Sequence, residues 1–297
     1  MAAEKIEVGK IQTLKVLREA EFGVYLGFED ESESVLLPKK QVPENAEIGS
    51  KIEVFVYRDS EDRLISTTHT PYVKAGQFGW LTVTGVSRIG AFLDWGLEKD
   101  LFMPFAEQEE PAKKGDRLLV FVYEDKSGRL CATGRLYDHL SPAGRYEFYP
   151  GDTFEGYVYR TEQEHGIFTA VIPKKEMRAE EEQTCYNRLY FGLVPRSEAF
   201  RKYHAGEKIT GRIIRIREDR KLDISERKKI ADMLDRDGET ILKKIDEYRG
   251  ELPFSEGASP EIIRRELSMS KSAFKRALGH LLKEGKIVIE TDRITRP

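Results

Sequence analysis

One pattern recurs three times along this chain of 297 residues, and it restricts the fold more than any single motif does. The first copy runs Gly9, Phe22-Gly23-Val24-Tyr25, Leu36-Leu37-Pro38, Gly49, Val54-Phe55-Val56-Tyr57 and Arg63-Leu64. The second runs Gly76, Ile89-Gly90-Ala91-Phe92, Phe102-Met103-Pro104, Gly115, Val120-Phe121-Val122-Tyr123 and Arg129-Leu130. Pro38 to Gly49 and Pro104 to Gly115 both span 11 positions, and so does Pro195 to Gly206 in a stretched third copy. A β-rich unit repeated in register is a tandem array whose copies fold as successive modules.

Within each copy, short apolar runs alternate with Gly, Asp and Ser turns, the pattern of strands that bury one face. Side chains alternate along a strand, so Ile52, Val54 and Val56 share one face while Phe55 and Tyr57 take the other. Leu118, Val120 and Val122 stand in the same relation to Phe121 and Tyr123. These outward aromatics are expected to pack between modules. The turns Asp59-Ser60-Glu61-Asp62 and Asp125-Lys126-Ser127-Gly128 then reverse the chain into a last strand. About five strands in a unit of roughly 60–70 residues fit a small closed Greek-key barrel of the OB type. The expected architecture is mainly β and multidomain: barrels over 1–70, 71–140 and 145–226, the last with an insertion, and a C-terminal domain over 227–297.

The order Gly, Phe-Gly-x-aromatic, Leu-x-Pro, Gly and Arg-Leu resembles the S1 RNA-binding domain, an OB-fold module. The resemblance implies that Phe22 and Tyr25 in copy one, Phe92 in copy two, and His165 and Phe168 in copy three face RNA. It assigns Asp59 with Arg63, Asp125 with Arg129, and Lys221 to the last turn. Where the S1 pattern carries a histidine, this sequence has Pro38, Pro104 and Pro195, which removes one base-contacting side chain from every copy. Aromatics on an open barrel face stack on bases, at about 1–3 kcal/mol per base and with little sequence preference. The competing reading is that Phe22, Tyr25, Phe92 and Trp95 pack against a neighbouring barrel. Copy two has Ile89 in place of the first aromatic and Asp94, Glu98 and Asp100 around it, which weakens the case there.

Copy three departs towards function. Gly166 to Pro195 spans 29 positions, against 15 and 14 in the earlier copies, so an insertion around Lys174 to Tyr190 is expected to lengthen a loop. It contains Arg178, the run Glu180-Glu181-Glu182, then Tyr186, Arg188, Tyr190 and Phe191. The glutamates read as a solvated run; the aromatics and arginines could extend a binding rim. Arg196, Arg212, Arg215, Arg217 and Lys221 add cations, with Arg212 standing where the earlier copies have Phe55 and Phe121. On sequence, copy three is the favoured barrel for RNA. The net charge of −3 hides a division: residues 200–297 carry 24 Lys and Arg against 18 Asp and Glu, whereas residues 1–199 carry a net −9. Polyanion affinity follows local cation density, which favours the C-terminal third.

After Ser225 the period changes from two to 3.6. Ile241, Ile245 and Tyr248 define a helix face that ends at Gly250 and Pro253. Ser259-Pro260-Glu261 combines a capping hydroxyl, proline at the first helical position and an early carboxylate. Ser270 caps a third helix with a buried stripe of Phe274, Leu278 and Leu281, stopped by Gly285. A short hairpin over Ile287-Val288-Ile289 and Ile294 completes a winged helix. On the third helix, Lys271, Lys275, Arg276 and Lys283 share one sector with the Ser272 hydroxyl, suited to phosphate contacts. The alternative is a solvated face of an amphipathic helix. With Pro253-Phe254, Ser259-Pro260-Glu261 and Ser270 to Ala277, the chain resembles, over its whole length, the conserved virulence factor B family of bacterial RNA-binding proteins. That resemblance implies single-stranded RNA binding and a regulatory role.

Catalysis is not expected. The five histidines are scattered, the two cysteines lack ligand spacing, and there is no phosphate-binding glycine loop with lysine or nucleophile elbow. No metal or other cofactor is expected. Two cysteines without a disulfide framework and no apolar run of membrane length lead to the expectation of a cytoplasmic protein; separately, a monomer is expected. The leading expectation is a regulatory protein that grips single-stranded RNA by stacking and phosphate contacts, with the ribosome or RNA-processing proteins as further partners. A DNA-binding regulator working through the winged helix is the alternative, and an interaction scaffold is a third.

Overall fold

The structure is a computed structural model that describes residues 5–29, 33–59, 61–177, 185–227 and 230–297. The chain divides into two compact units, Met1–Glu226 and Arg227–Pro297.

Three barrels make up the first unit. In the first, β1 (Ile11–Ala20), β2 (Gly23–Gly27), β3 (Ser34–Pro38), β4 (Lys51–Arg58) and β5 (Leu64–Thr67) close in the order β1-β2-β3-β5-β4. The second contains β6 (Phe78–Val86), β7 (Gly90–Asp94), β8 (Leu101–Pro104), β9 (Arg117–Glu124) and β10 (Leu130–Thr133), and a β6–β9 pairing closes it. The third contains β11 (Thr153–Glu162), β12 (Gly166–Val171), β14 (Tyr190–Pro195), β15 (Lys208–Ile216) and β16 (Leu222–Ser225), with β13 (Cys185–Tyr186) between β12 and β14 in the chain.

The repeat is a repeat of register. Ile11 pairs with Phe55, Phe78 with Phe121 and Thr153 with Arg212, so Arg212 does occupy the position of the two phenylalanines. Each first strand carries a bulge at the same point, between Val16 and Arg18, Val83 and Gly85, and Val158 and Arg160. Gly23, Gly90 and Gly166 pair with Pro38, Pro104 and Pro195. The reason for glycine at these three positions is steric: a Cβ would sit 2.0, 2.3 and 2.1 Å from the carbonyl oxygens of Leu37, Met103 and Val194.

Alternation sorts the β4 side chains as expected. Ile52, Val54 and Val56 fill the first barrel. Phe55, only 1% exposed, and Tyr57 face the second barrel, where Trp95 meets their rings edge-on at 5.7 and 6.2 Å. Trp95 is therefore an inter-barrel residue. A second buried cluster joins the second and third barrels through Phe78, Leu119, Tyr157, Tyr159 and Ile172, with Leu136 and Leu140 from the connecting turn.

The insertion corrects one expectation. It does not merely lengthen a loop, because Cys185 and Tyr186 pair with Gly79 and Phe78 on β6 and add a sixth strand to the second barrel. The end of β6 beyond its β7 pairing leaves backbone groups open, and the inserted strand satisfies them. Tyr186 and Tyr190 are buried, and the Tyr186 hydroxyl lies 3.2 Å from that of Tyr157, so these rings belong to cores and not to a binding rim. Arg178 and Glu180 to Glu182 lie outside the described residues.

The second unit is a winged helix: α1 (Ile230–Glu247), β17 (Glu251–Leu252), α2 (Pro260–Leu267), α3 (Lys271–Lys283), β18 (Val288–Ile289) and β19 (Ile294–Thr295), with sheet order β17-β19-β18. Ile241, Ile245, Ile263, Leu267, Phe274 and Leu278 form its core. Ser259 Oγ accepts the Ile262 N–H and Ser270 Oγ the Ala273 N–H, the expected caps. Tyr248 lies past the end of α1 and is 40% exposed, so the buried face of that helix stops at Ile245. Among the described residues, no helix is long and apolar enough to cross a membrane.

Candidate nucleic-acid interface

The bulge in each first strand decides what stands opposite the aromatic of the second strand. In the first barrel Arg18 pairs with Tyr25, and its guanidinium carbon lies 3.7 Å from the ring centroid. In the third barrel Arg160 pairs with Phe168, at 4.2 Å. Directly opposed side chains on antiparallel strands are nearest neighbours, and a guanidinium over a ring contributes about 0.5–1 kcal/mol at an exposed site. The second barrel has Gly85 opposite Phe92, and Phe92 instead packs on Phe102 at 5.5 Å. Two of the three barrels therefore present an aromatic plane with a planar cation stacked on it.

The first barrel displays the more open arrangement. Phe22 is 71% exposed, and its carbonyl accepts the N–H of Lys39, which is exposed together with Lys40. Arg63 donates twice to Asp59, at 2.9 and 2.8 Å, and lies within electrostatic reach of Tyr25. The Arg18–Tyr25 pair, the open Phe22 ring with Lys39 beside it in the backbone, and Arg63 are thus all carried by this barrel.

The third barrel, favoured on sequence, is more enclosed. Phe168 is half-buried, with Tyr137 edge-on at 6.3 Å from the turn that follows the second barrel. Lys221 donates to the Tyr137 hydroxyl at 3.1 Å, pairs with Asp219 at 3.2 Å and lies 4.8 Å from the Phe191 ring centroid. The hydrogen bond to Tyr137, with that to Asp219, holds the Lys221 ammonium above the usual lysine range. His165 is exposed, with Nδ1 2.8 Å from Glu162 Oε2. Arg215 and Arg217 both donate to the buried carboxylate of Asp223, at 2.8 and 2.7 Å, so the cationic surface is weaker than the residue count implies. Arg212 is half-buried on β15, and Arg196 is exposed just after Pro195.

Equivalent turns carry Asp59 with Arg63, Asp125 with Arg129, and Arg217 with Lys221, each pair joined by a backbone hydrogen bond. Arg129 does not face outward alone: it forms a forked ion pair with Asp62 of the first barrel. Arg58 donates to the Gly128 carbonyl at 3.0 Å and Lys99 to that of Asp59 at 2.8 Å, completing a polar seam between the two barrels.

In the winged helix, α3 contains no aspartate or glutamate. Lys275, Arg276, Lys283 and Ser272 are exposed and Lys271 is half-buried. None of the four cations has an ion-pair partner among the described residues. The arginines of the wing differ: Arg293 pairs with Glu251, and Arg296 with Asp246.

Arg18, Arg160, Lys39 and Tyr137 were not picked out from sequence. A basic residue seven or eight positions before the aromatic, across the first hairpin, is the signal that marks Arg18 and Arg160. Tyr137 had none, because its part depends on how two barrels dock.

Comparison with known proteins agrees with this assembly. The S1 domain family matches residues 8–69 and 75–135, and the CvfB-like winged helix domain matches residues 239–295. An uncharacterized protein of Bacillus subtilis, YitL, is 31% identical over 295 residues, covering 97% of this chain and 93% of its own. Conserved virulence factor B of Staphylococcus epidermidis is 30% identical over 312 residues, covering 99% and 96%, and the Staphylococcus aureus protein of that name is 28% identical over 305 residues. A solved structure from Streptococcus pneumoniae, described as a multidomain protein with nucleic acid binding domains, aligns over 98% of both chains with 24% identity and a TM-score of 0.46. With two S1 domains ahead of its characteristic winged helix, and end-to-end likeness to the Bacillus subtilis and Staphylococcus epidermidis proteins at 31% and 30% identity, this chain belongs to the conserved virulence factor B family.

Proposed function

We propose that this protein binds single-stranded RNA with little base specificity, holding the strand by ring stacking and phosphate contacts, and that it acts as a regulator without a catalytic step of its own. The matched S1 domains support nucleic-acid binding. The observation that carries the rest is the Arg18–Tyr25 stack beside the exposed Phe22, repeated at the same register as Arg160–Phe168. A base slides onto an exposed ring whatever its identity, and nearby guanidinium groups meet the backbone phosphates. The cations of α3 supply a second set of phosphate contacts.

The test is fluorescence anisotropy with labelled oligouridylate at two salt concentrations. Affinity should fall with salt, at about 0.7 in the log–log slope for each phosphate neutralised on a single strand. Absence of binding at low salt, or binding indifferent to salt, refutes the proposal. Competition separates it from duplex DNA recognition by α3: a protein that reads grooves releases the RNA to duplex DNA. Crosslinking in cells, followed by mapping of the bound transcripts, tests the regulatory part.

A further inference from the structure

The second barrel keeps the backbone of its neighbours and loses their chemistry at the same positions. Opposite the second-strand aromatic, Arg18 and Arg160 are matched by Gly85. After the recurring proline, Lys39 and Arg196 are matched by Phe105. Before the recurring glycine, Phe22 and His165 are matched by Ile89. Ile89 is 67% exposed and Phe105 44%, and the N–H of Phe105 donates to the carbonyl of Ile89 at 3.2 Å. The Phe102 ring lies over Gly90 and against Phe92, and Ile89, Phe92, Phe102 and Pro104 line one cleft. An apolar strip therefore lies where the first barrel presents cations.

The margin of this strip is acidic. Asp100, which accepts the Thr84 hydroxyl at 2.7 Å, and Asp125 line the cleft. Glu107 follows closely after Phe105, and burial together with the Glu107 charge pushes the Tyr123 hydroxyl up to about 12. Of the cations lining the cleft, Arg129 is bound to Asp62, while Arg58 and Lys99 donate to backbone carbonyls. Arg88 at the hairpin tip is the exposed exception. A phosphate backbone brought here would meet carboxylates and find few available donors.

We infer that the second barrel docks a protein segment, an extended peptide with two or three apolar anchors flanked by lysine or arginine, and that it is not part of the nucleic-acid surface. The anchors fill the Ile89–Phe102–Phe105 strip, and the flanking cations meet Asp100, Glu107 and Asp125. Apolar patches rimmed by charge are how protein interaction sites present themselves on a soluble domain.

The experiment uses the full chain. A random dodecapeptide phage library is selected on it, the enriched peptide is synthesised, and its affinity is measured by fluorescence polarisation for the native chain and for the double variant Ile89→Asp, Phe105→Asp. Both side chains are exposed, so the variant should fold, and a matching circular dichroism melt checks this. The expected result is enrichment of basic, apolar peptides whose affinity falls at least tenfold in the variant, while oligouridylate affinity stays unchanged. Enrichment of acidic peptides, no enrichment, or undiminished peptide binding by the variant overturns the inference. A loss of oligouridylate affinity in the variant also overturns it, by returning the strip to the nucleic-acid surface.

Discussion

Phe22→Ala offers the cleanest separation of binding from folding in this protein. The ring is 71% exposed, so its removal takes little from any core, and surface truncations of this kind alter stability by about 0.5 kcal/mol or less. If the ring stacks on a base, its loss costs about 1–3 kcal/mol of binding, a fall of about 5- to 150-fold in affinity. The companion Phe168→Ala behaves differently. That ring is half-buried against Tyr137 and Tyr159 in the cluster joining two barrels, so its removal lowers the unfolding midpoint as well as the affinity. The assay is oligouridylate anisotropy at low salt, with urea unfolding of each variant in the same buffer. A Phe22→Ala protein that binds as tightly as the native chain would refute the reasoning, because the ring is otherwise without a structural task.

Replacing Lys275 and Lys283 together by alanine should reduce the salt slope of RNA binding by about 0.7 for each phosphate no longer neutralised, with the melting temperature unchanged; an unaltered slope removes α3 from the interface. Phe55→Ala should destabilise the first two barrels by about 3–5 kcal/mol in chemical unfolding, since the side chain is buried against Trp95. His139 stacks on Phe121 at 4.1 Å, and burial holds its imidazole below the ordinary value, so the folded state binds the proton less well than the unfolded chain. Stability should therefore be full above about pH 6.5 and decline as pH falls through the depressed value, and His139→Phe should flatten that decline in denaturant midpoints measured from about pH 7 to 5. The Cys131 thiol is buried, which with the nearby Asp125 pushes it up to about 11, so a thiol reagent at about pH 8 should modify it only after unfolding.

The barrels were legible because their determinants are local. Alternation along β4 separates Val54 and Val56 from Phe55 and Tyr57 without reference to distant residues, and Gly23, Gly90 and Gly166 mark a close strand approach that admits no other side chain. The caps at Ser259 and Ser270 are equally local, and the winged helix followed from them. The candidate site was less legible. Tyr25, Phe92 and Phe168 lie on the expected strands, but Phe22, His165 and Arg196 stand in turns, and two cations find their partners in another module or its connecting turn: Asp62 for Arg129 and Tyr137 for Lys221.

What the sequence determined alone was the set of modules and their register, since strand periodicity, turn chemistry and helix caps act between residues a few positions apart. Only tertiary structure decided which rings stay open to solvent and which cations are drawn into ion pairs. Both depend on how one barrel docks on the next: that docking enclosed Phe168 beneath Tyr137, drew Arg129 to Asp62 and sent Cys185 and Tyr186 to the edge of another module, while Phe22 was left in solvent.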